Sequence, residues 1–324
     1  MRLRTLLFVA AAVWGLGTGW SGEPRLELFD GPLRVRAERV ALDPADASRR
    51  QLGRLTFVGG VHLTSAEPAF GGFSALAVER DRITLLNDGG NLVRFRFGRD
   101  GRVSEPAYAA LPGGPGTGWN KLDRDTEALA LDSGAGTMWV AYERANQIWR
   151  YSTDLKRAER ASAPPAMRRW AANGGAETLV RRRDGSFIAI EEGRRRRPWR
   201  EMLVWAGDPT LQPQARFRLR YRPPAGYDPV DAVELPDGRL LVLNRWFGVP
   251  LRFANVLTIV ERGAIRPGET IRGREIATLA APLIHDNFEG VAVTVEQGRT
   301  IVWLVSDDNH SRWERTLLLK FALS

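Results

Sequence analysis

Five stretches of this chain follow the same order of elements, and this repetition constrains the fold more than any other feature. They begin 53, 50, 54 and 58 residues apart, at Ser74, Glu127, Glu177, Asp231 and Glu289. Each stretch reads as a short strand, a turn, a second strand rich in β-branched and aromatic residues, a loop and a third strand. No long apolar pattern with the period of a helix is present. Repeats of this kind are typical of a β-propeller with four antiparallel strands per blade, and we predict an all-β fold of this type.

The repeat length limits the number of blades. Four intervals cover 215 residues, from position 74 to position 289, so each blade takes about 54 residues and the chain can hold five or six blades. We recognise five repeats. Weaker fourth strands are predicted at 214–221 and 274–279. The last repeat lacks its fourth strand, and the stretch 52–65 (LGRLTFVGGVHLTS) is predicted to supply it and close the ring.

The first residues have the pattern of a secretory signal peptide. Arg2 and Arg4 precede a short apolar run, and small residues follow it. We expect a signal peptide at 1–22, an N-terminal extension at 23–51 and the propeller at 52–324, in a periplasmic or secreted bacterial protein. An uncleaved N-terminal anchor is the alternative, and no later segment is long and apolar enough to span a membrane. The chain has no cysteine, which excludes disulfides and thiolate metal sites.

The formal charge of +9 comes almost entirely from arginine, since only 3 of the 47 basic residues are lysines, at positions 121, 156 and 320. The arginines are scattered along strand-like segments, and the longest run is Arg194–Arg197. A scattered charge affects solubility before it indicates a partner. We therefore predict no nucleic-acid binding, and the oligomeric state stays open.

Acidic residues recur where first strands start and second strands end. In a propeller these two points meet at one mouth of the central channel, so the sequence predicts about eight to ten carboxylates there. Hard divalent cations relieve the repulsion among such groups, and calcium is the expected ion because histidine and cysteine are absent from the repeated positions. In the alternative interpretation the acids cap backbone groups or pair with neighbouring arginines. The predicted metal ligands are Asp88, Glu127, Glu143, Glu177, Glu191, Asp231, Glu289, Asp307 and Asp308.

The same mouth carries candidates for substrate contacts and proton transfer. We expect Arg245 and Arg144 to bind anionic oxygens, with Asn309 and Ser74 beside them. Glu192 or His310 could act as general base or acid. A Ser74–His310–Asp triad has little support, because the sequence around Ser74 has only half of the nucleophile elbow and opens a strand.

Several motifs resemble the phytase-like family, described as having esterase-like activity. They include FGGFSALAVE (70–79), DTEALAL (125–131), YDPVDAVELPDGRLLVLNR (227–245) and DNFEGVAV (286–293). The resemblance covers nearly all of 52–324 and implies a secreted bacterial β-propeller related to calcium-dependent phytases, in which carboxylates at the channel mouth hold calcium. The family's acidic positions fall on the nine predicted metal ligands. Ser74 stands where other repeats have an acid, and Asn244-Arg245 replaces an acid at a strand end.

The expected function is therefore a calcium-dependent hydrolase of phosphate or carboxylic esters that acts on a small anionic substrate. Two alternatives use the same residues. One is a non-catalytic periplasmic propeller that binds an anionic ligand or a partner protein. The other is a lactonase-like hydrolase of sugar acids.

Overall fold

The computed structural model describes residues 28–117, 120–193, 197–249 and 252–324. In these ranges the chain forms 23 β-strands and no α-helix, with short 3₁₀ turns at Lys121–Arg124, Pro165–Arg169 and Arg262–Ala264. None of the described helices could span a membrane. The predicted signal peptide at 1–22 lies outside the described residues.

The strands form five sheets. In four of them the sequence order runs from the centre of the molecule outward, and in the fifth the outer strands come from the N-terminal part of the chain. The N-terminal strands are β1 (Arg36–Arg39), β2 (Gln51–Leu52) and β3 (Leu55–Thr64). Blade 1 contains β4 (Phe73–Glu79), β5 (Arg82–Asn87), β6 (Asn91–Phe97) and β7 (Val103–Ala110). Blade 2 contains β8 (Thr126–Asp132), β9 (Thr137–Tyr142), β10 (Gln147–Ser152) and β11 (Ala158–Ser162).

The other three blades follow the same plan with small variations. Blade 3 contains β12 (Ala176–Arg181), β13 (Phe187–Glu191), β14 (Arg200–Trp205) and β15 (Phe217–Tyr221). Blade 4 contains β16 (Asp228–Glu234), β17 (Leu240–Gly248), β18 (Arg252–Val260) and β20 (Arg274–Leu279), while β19 (Thr270–Ile271) pairs in parallel with β15 of blade 3. Blade 5 contains β21 (Phe288–Glu296), β22 (Arg299–Ser306) and β23 (Leu317–Leu323). The predicted fourth strands at 214–221 and 274–279 correspond to β15 and β20.

The five innermost strands form a closed ring. Strands β4, β8, β12, β16 and β21 contact one another in this order, and β21 contacts β4 again. The structure is thus a five-bladed β-propeller, which confirms the predicted fold and decides between five and six blades.

The N-terminal strand closes the ring as predicted. Strand β3 pairs antiparallel with β23 and supplies the strand that blade 5 lacks. Phe57 of β3 is buried, and its ring lies 5.4 Å from that of Phe321 in an edge-on arrangement. Strand β1, from the stretch predicted as an N-terminal extension, pairs with the other edge of β3. Closure joins distant parts of the chain and leaves the first and last blades without a gap between them.

Buried apolar side chains gather between neighbouring blades. Within the described ranges they form five clusters, one at each blade interface. Successive residues of a strand point to opposite faces of its sheet. In β5, Leu85 packs toward blade 5 and Leu86 toward blade 2. Burial on both faces explains why second strands such as IVWLV (301–305) are continuously apolar, and it gives the channel mouth a rigid support.

Candidate metal and substrate site

A residue is inserted near the start of every inner strand. The pairing with the second strand skips one residue in all five blades, which is the pattern of a β-bulge. A bulge bends the strand locally and redirects the side chain of the extra residue. The extra residues are Ser74, Glu127, Glu177, Val230 and Glu289.

In each blade except blade 4, the residue just after the paired part of the second strand lies next to the bulge of the inner strand. The backbone N–H groups of Asp88, Glu143 and Asp307 donate to carbonyl oxygens that precede the inner strands, and the N–H of Glu192 does the same. In blade 4 the equivalent residue is Arg245, which pairs with the start of β16. The bulges and these exit residues therefore form two stacked rings around the mouth of the channel.

The two rings enclose a cavity of about 510 Å³. Among the described residues eight carboxylates line it, seven of them at the repeated positions. They are Asp88, Glu127, Glu143, Glu177, Glu192, Glu289, Asp307 and Glu314.

Blade 4 departs from the others by one residue. The position predicted for an acid at its inner strand belongs to Val230, which packs in the apolar cluster between blades 4 and 5. Asp231 lies one residue later, is buried, and accepts hydrogen bonds from the N–H groups of Ala232 and Val291 at 2.7 Å each. Asp231 therefore does not line the cavity. Its carboxyl group links blade 4 to blade 5.

Two other predicted metal ligands also lie beside the cavity and not on its wall. Glu191 is buried and contacts Arg197 at 3.0 Å and the N–H of Glu201 at 2.9 Å. Asp308 accepts the N–H of Gly72 at 2.9 Å and the hydroxyl of Thr316 at 2.8 Å. In both pairs of adjacent acids one member faces the cavity and the other ties neighbouring segments together.

The carboxylates are closest together in blades 2 and 3. One group consists of Asp125, Glu127 and Glu143, and a second consists of Glu143, Glu177 and Glu192. In each group one oxygen of every member lies within 4.8 Å of the others. The side chains of Glu127 and Glu177 have no hydrogen bond or ion pair with any described residue. Glu143 accepts the N–H groups of Gly174 and Gly175.

Burial and mutual repulsion keep these carboxyl groups protonated to unusually high pH. Burial is the larger cause, and the nearby carboxylates add to it. The pKa values of Glu127 and Glu177 are raised well above their ordinary value. The pKa of Glu143 is raised to about 7, as is that of Asp307, in which burial again dominates. A cation bound by these groups would favour their ionised form and so oppose these shifts.

Basic side chains balance the other part of the cavity. Lys121 contacts Asp88 at 2.5 Å. Arg245 donates to Glu289, to Asn287 at 3.0 Å and to Glu192 at 3.2 Å. Arg245 is the one basic side chain among the described residues of the cavity wall. The charge is therefore uneven. Glu127 and Glu177 of blades 2 and 3 have no ion pair with a described residue, whereas blade 4 carries a guanidinium group.

The remaining candidates differ in position. Ser74 and Asn309 line the cavity, Ser74 as the buried bulge residue of blade 1. His310 is exposed on the rim and is not part of the wall, while its N–H donates to Asp308 at 3.0 Å. Arg144 also lies off the wall and donates to Asn173 at 2.8 Å.

Some residues of the site were not predicted from the sequence. Asp125 directly precedes the first strand of blade 2, and its motif DTEALAL was noted only for Glu127. Asn287 and Glu314 come from loops of blade 5, where no repeat identifies them. Phe247 and Phe253 lie beyond the repeated part of blade 4 and also line the cavity. Only the position of Asp125, two residues before a bulged acid, carried a usable signal.

Comparison with known proteins identifies the family. A profile of the phytase-like family, described as esterase-like activity of phytase, matches residues 68–310. The chain belongs to the phytase-like family. This confirms the resemblance inferred from the motifs, and the matched range contains four complete blades and most of the cavity wall. No match was found among curated proteins.

Solved structures similar to this phytase-like protein are distant in sequence. Hydrazine synthase from Kuenenia stuttgartiensis is 13% identical, with 74% of this chain and 77% of that chain covered and a TM-score of 0.40. Glutaminyl cyclase from Myxococcus xanthus is 10% identical, with 78% and 92% covered and a TM-score of 0.46. The Cps50 (Swd1) β-propeller domain from Myceliophteria thermophila is 10% identical, with 90% and 100% covered and a TM-score of 0.41.

Proposed function

We propose that the protein hydrolyses a small ester with the help of a divalent cation, calcium, held in the cavity. One observation carries the proposal. Two groups of three carboxylates share Glu143, and all of their members except Asp125 line a cavity large enough for a small molecule. Carboxylates without partners in a confined space are costly unless a cation compensates them.

The donor set fits a hard cation. Asp125, Glu127, Glu143, Glu177 and Glu192 offer only carboxylate oxygens, and calcium takes six to eight oxygen ligands in flexible geometry. Histidine and cysteine are absent from both groups, which disfavours softer metals. When bound, such an ion polarises an ester or phosphoryl oxygen and lowers the pKa of a coordinated water.

The other residues of the cavity have complementary roles. Arg245 is placed to orient an anionic oxygen through its planar guanidinium group. Asp307 lies outside both groups of three, and its pKa of about 7 allows it to accept a proton near neutral pH. The positions of Glu192 and His310, the two candidates from the sequence, suit proton transfer less well than that of Asp307. Glu192 is paired with Arg245, and His310 lies on the exposed rim.

Calcium titration by calorimetry tests the proposal. We expect binding to the wild-type protein and a loss of affinity of at least tenfold in Glu143→Gln, because both groups lose a shared ligand. The control is Glu261→Gln, whose side chain is 65% exposed on blade 4 and away from the cavity. Absence of calcium binding, or equal effects of the two substitutions, would refute the proposed cation site.

Turnover separates an enzyme from a binding protein. Aryl phosphates, aryl acetates and lactones should be screened with calcium and with chelator. Hydrolysis that requires calcium and is lost in Glu143→Gln supports the proposal. Calcium binding without turnover of any of these esters would favour the non-catalytic alternative, and turnover of lactones alone would favour the lactonase-like one. Export to the periplasm or medium, as expected from the first 22 residues, belongs to the same proposal.

A further inference from the structure

The hairpin of blade 4 extends the cavity wall beyond the ring of carboxylates. Strands β17 and β18 are nine residues long each and pair continuously from Leu240 with Val260 to Gly248 with Arg252. Because side chains alternate along a strand, Arg245 and Phe247 face the same side. Both line the cavity. Trp246 lies between them on the opposite face and is not part of the wall.

An aromatic pair covers this extension. Phe247 and Phe253 are directly opposite each other in the two strands, and their ring centroids are 5.3 Å apart. The side chain of Phe247 is 38% exposed. Part of the Phe247 ring is therefore open at the mouth of an acidic cavity. Exposed aromatic surface next to a small-molecule cavity is typical of a ligand contact.

The cavity is therefore polarised. Blades 2 and 3 contribute the carboxylate groups, and blade 4 contributes a guanidinium group followed, two residues further, by the phenyl pair. Two residues along a strand correspond to about 7 Å. A molecule that bridges these regions has a small polar or anionic end and an apolar group about one phenyl ring away from it.

We propose that the ligand of this cavity is an amphiphilic ester, in which the reacting group lies near Arg245 and the carboxylates and an aryl or alkyl group packs on Phe247 and Phe253. The inference rests on the proposed function for the identity of the reacting group. It specifies the class of substrate. A polyanion that carries many phosphates matches the cavity poorly, because eight carboxylates face one arginine among the described wall residues.

Binding of two simple phosphonates tests the aromatic contact without any turnover. Phenylphosphonate and methylphosphonate share the anionic group and differ in the apolar one. In the presence of calcium, calorimetry should show that the wild-type protein binds phenylphosphonate about fivefold to tenfold more tightly, the range expected for packing one ring on an aromatic pair. In Phe247→Ala this preference should fall to less than about twofold, while methylphosphonate affinity is unchanged.

Two further variants make the result specific. Trp246→Ala changes the neighbouring aromatic residue on the opposite face and should keep the preference. Phe247→Leu keeps apolar volume and should retain part of it, which answers the objection that Phe247→Ala disturbs the hairpin. Equal binding of the two phosphonates by the wild-type protein, or a preference unchanged in Phe247→Ala, would overturn the proposal.

The outcome is distinguishable from failure of the proposed function. If the protein prefers phenylphosphonate through Phe247 but hydrolyses no ester, the amphiphilic ligand stands and catalysis fails. If it hydrolyses aryl and methyl esters with equal kcat/KM in both wild type and Phe247→Ala, catalysis stands and the aromatic contact is refuted. If phosphonate binding and ester hydrolysis both depend on Phe247, the apolar group of the substrate lies on blade 4.

Discussion

The metal-free protein should lose stability as the pH rises, and Glu143 allows the size of this effect to be worked out. Its pKa rises from 4.5 to about 7 in the folded protein, chiefly because of burial and secondly because of the Asp125 charge. One pKa unit corresponds to about 1.4 kcal/mol. Ionising this carboxyl group therefore costs the folded state roughly 3 kcal/mol more than the unfolded chain.

The sign follows from proton binding. Between pH 4.5 and about 7 the folded state keeps a proton that the unfolded chain has lost, so stability falls as the pH rises through this window and levels off above it. Asp307, with a pKa raised from 3.8 to about 7, acts in the same direction. Carboxylates whose pKa is lowered, such as Asp154 at about 2, lose their contribution only in stronger acid. Measurements from pH 5 to pH 8 therefore avoid these groups and report on the carboxyl groups whose pKa is raised, both in the cavity and at Asp231 and Asp286 beside it.

Thermal unfolding with chelator or with millimolar calcium measures the effect. For a chain of this size about 1 kcal/mol corresponds to roughly 2 °C. Glu143 alone, over the roughly two pKa units between pH 5 and its pKa, should therefore lower the Tm in chelator by about 5 °C from pH 5 to pH 8, and Asp307 should add a similar amount. Calcium binds the ionised groups, so it should raise the Tm at pH 8 and have little effect at pH 5. Glu143→Gln should reduce this fall of Tm in chelator without abolishing it, because Asp307 still titrates in the same window. A Tm in chelator that stays constant or rises from pH 5 to pH 8 would refute the reasoning.

Three further predictions concern the ring and its cavity. Gly290→Ala should destabilise the protein by about 1–3 kcal/mol in urea unfolding, because an added Cβ would lie 2.6 Å from a methyl carbon of the neighbouring strand. Gly263→Ala is the control and should be nearly neutral, since there is open space around this residue. Phe57→Ala should cost about 3–5 kcal/mol if the N-terminal strand closes the ring, and Val58→Ala, on the exposed face of that strand, should change stability by less than about 0.5 kcal/mol. Arg245→Gln should tighten calcium binding in calorimetry, since a positive charge leaves the cavity. The same substitution should weaken methylphosphonate binding. A loss of both affinities would instead indicate that Arg245 has a structural role.

The fold was predictable because its main signal is local. Turn residues, alternation and continuous apolar second strands recur in each repeat, and each blade needs only its neighbours to bury both faces. The closing strand at 55–64 could also be inferred, since a propeller requires a full last blade. The length of the repeat limited the number of blades to five or six, and the structure shows five.

The site was less predictable because its register depends on a backbone irregularity. A bulge shifts every later residue by one position relative to the partner strand, and a one-residue shift moves a side chain to the other face. Alignment of acids by type therefore selected Asp231, although the bulged residue of blade 4 is Val230. The sequence does not tell which of the adjacent residues Glu191 and Glu192 faces the cavity. The structure places only Glu192 on the cavity wall.

Blade 4 makes the channel mouth asymmetric, although the five blades are otherwise nearly equivalent. If all five blades carried acids at both ring positions, the mouth would attract cations without orienting a ligand. Val230 and Arg245 remove two negative charges and add a positive one on a single side. Because Phe247 follows Arg245 on the same face, the side that lacks acids is also the side that offers apolar surface. The break in the repeat, more than the repeat itself, therefore determines which molecules the cavity can orient.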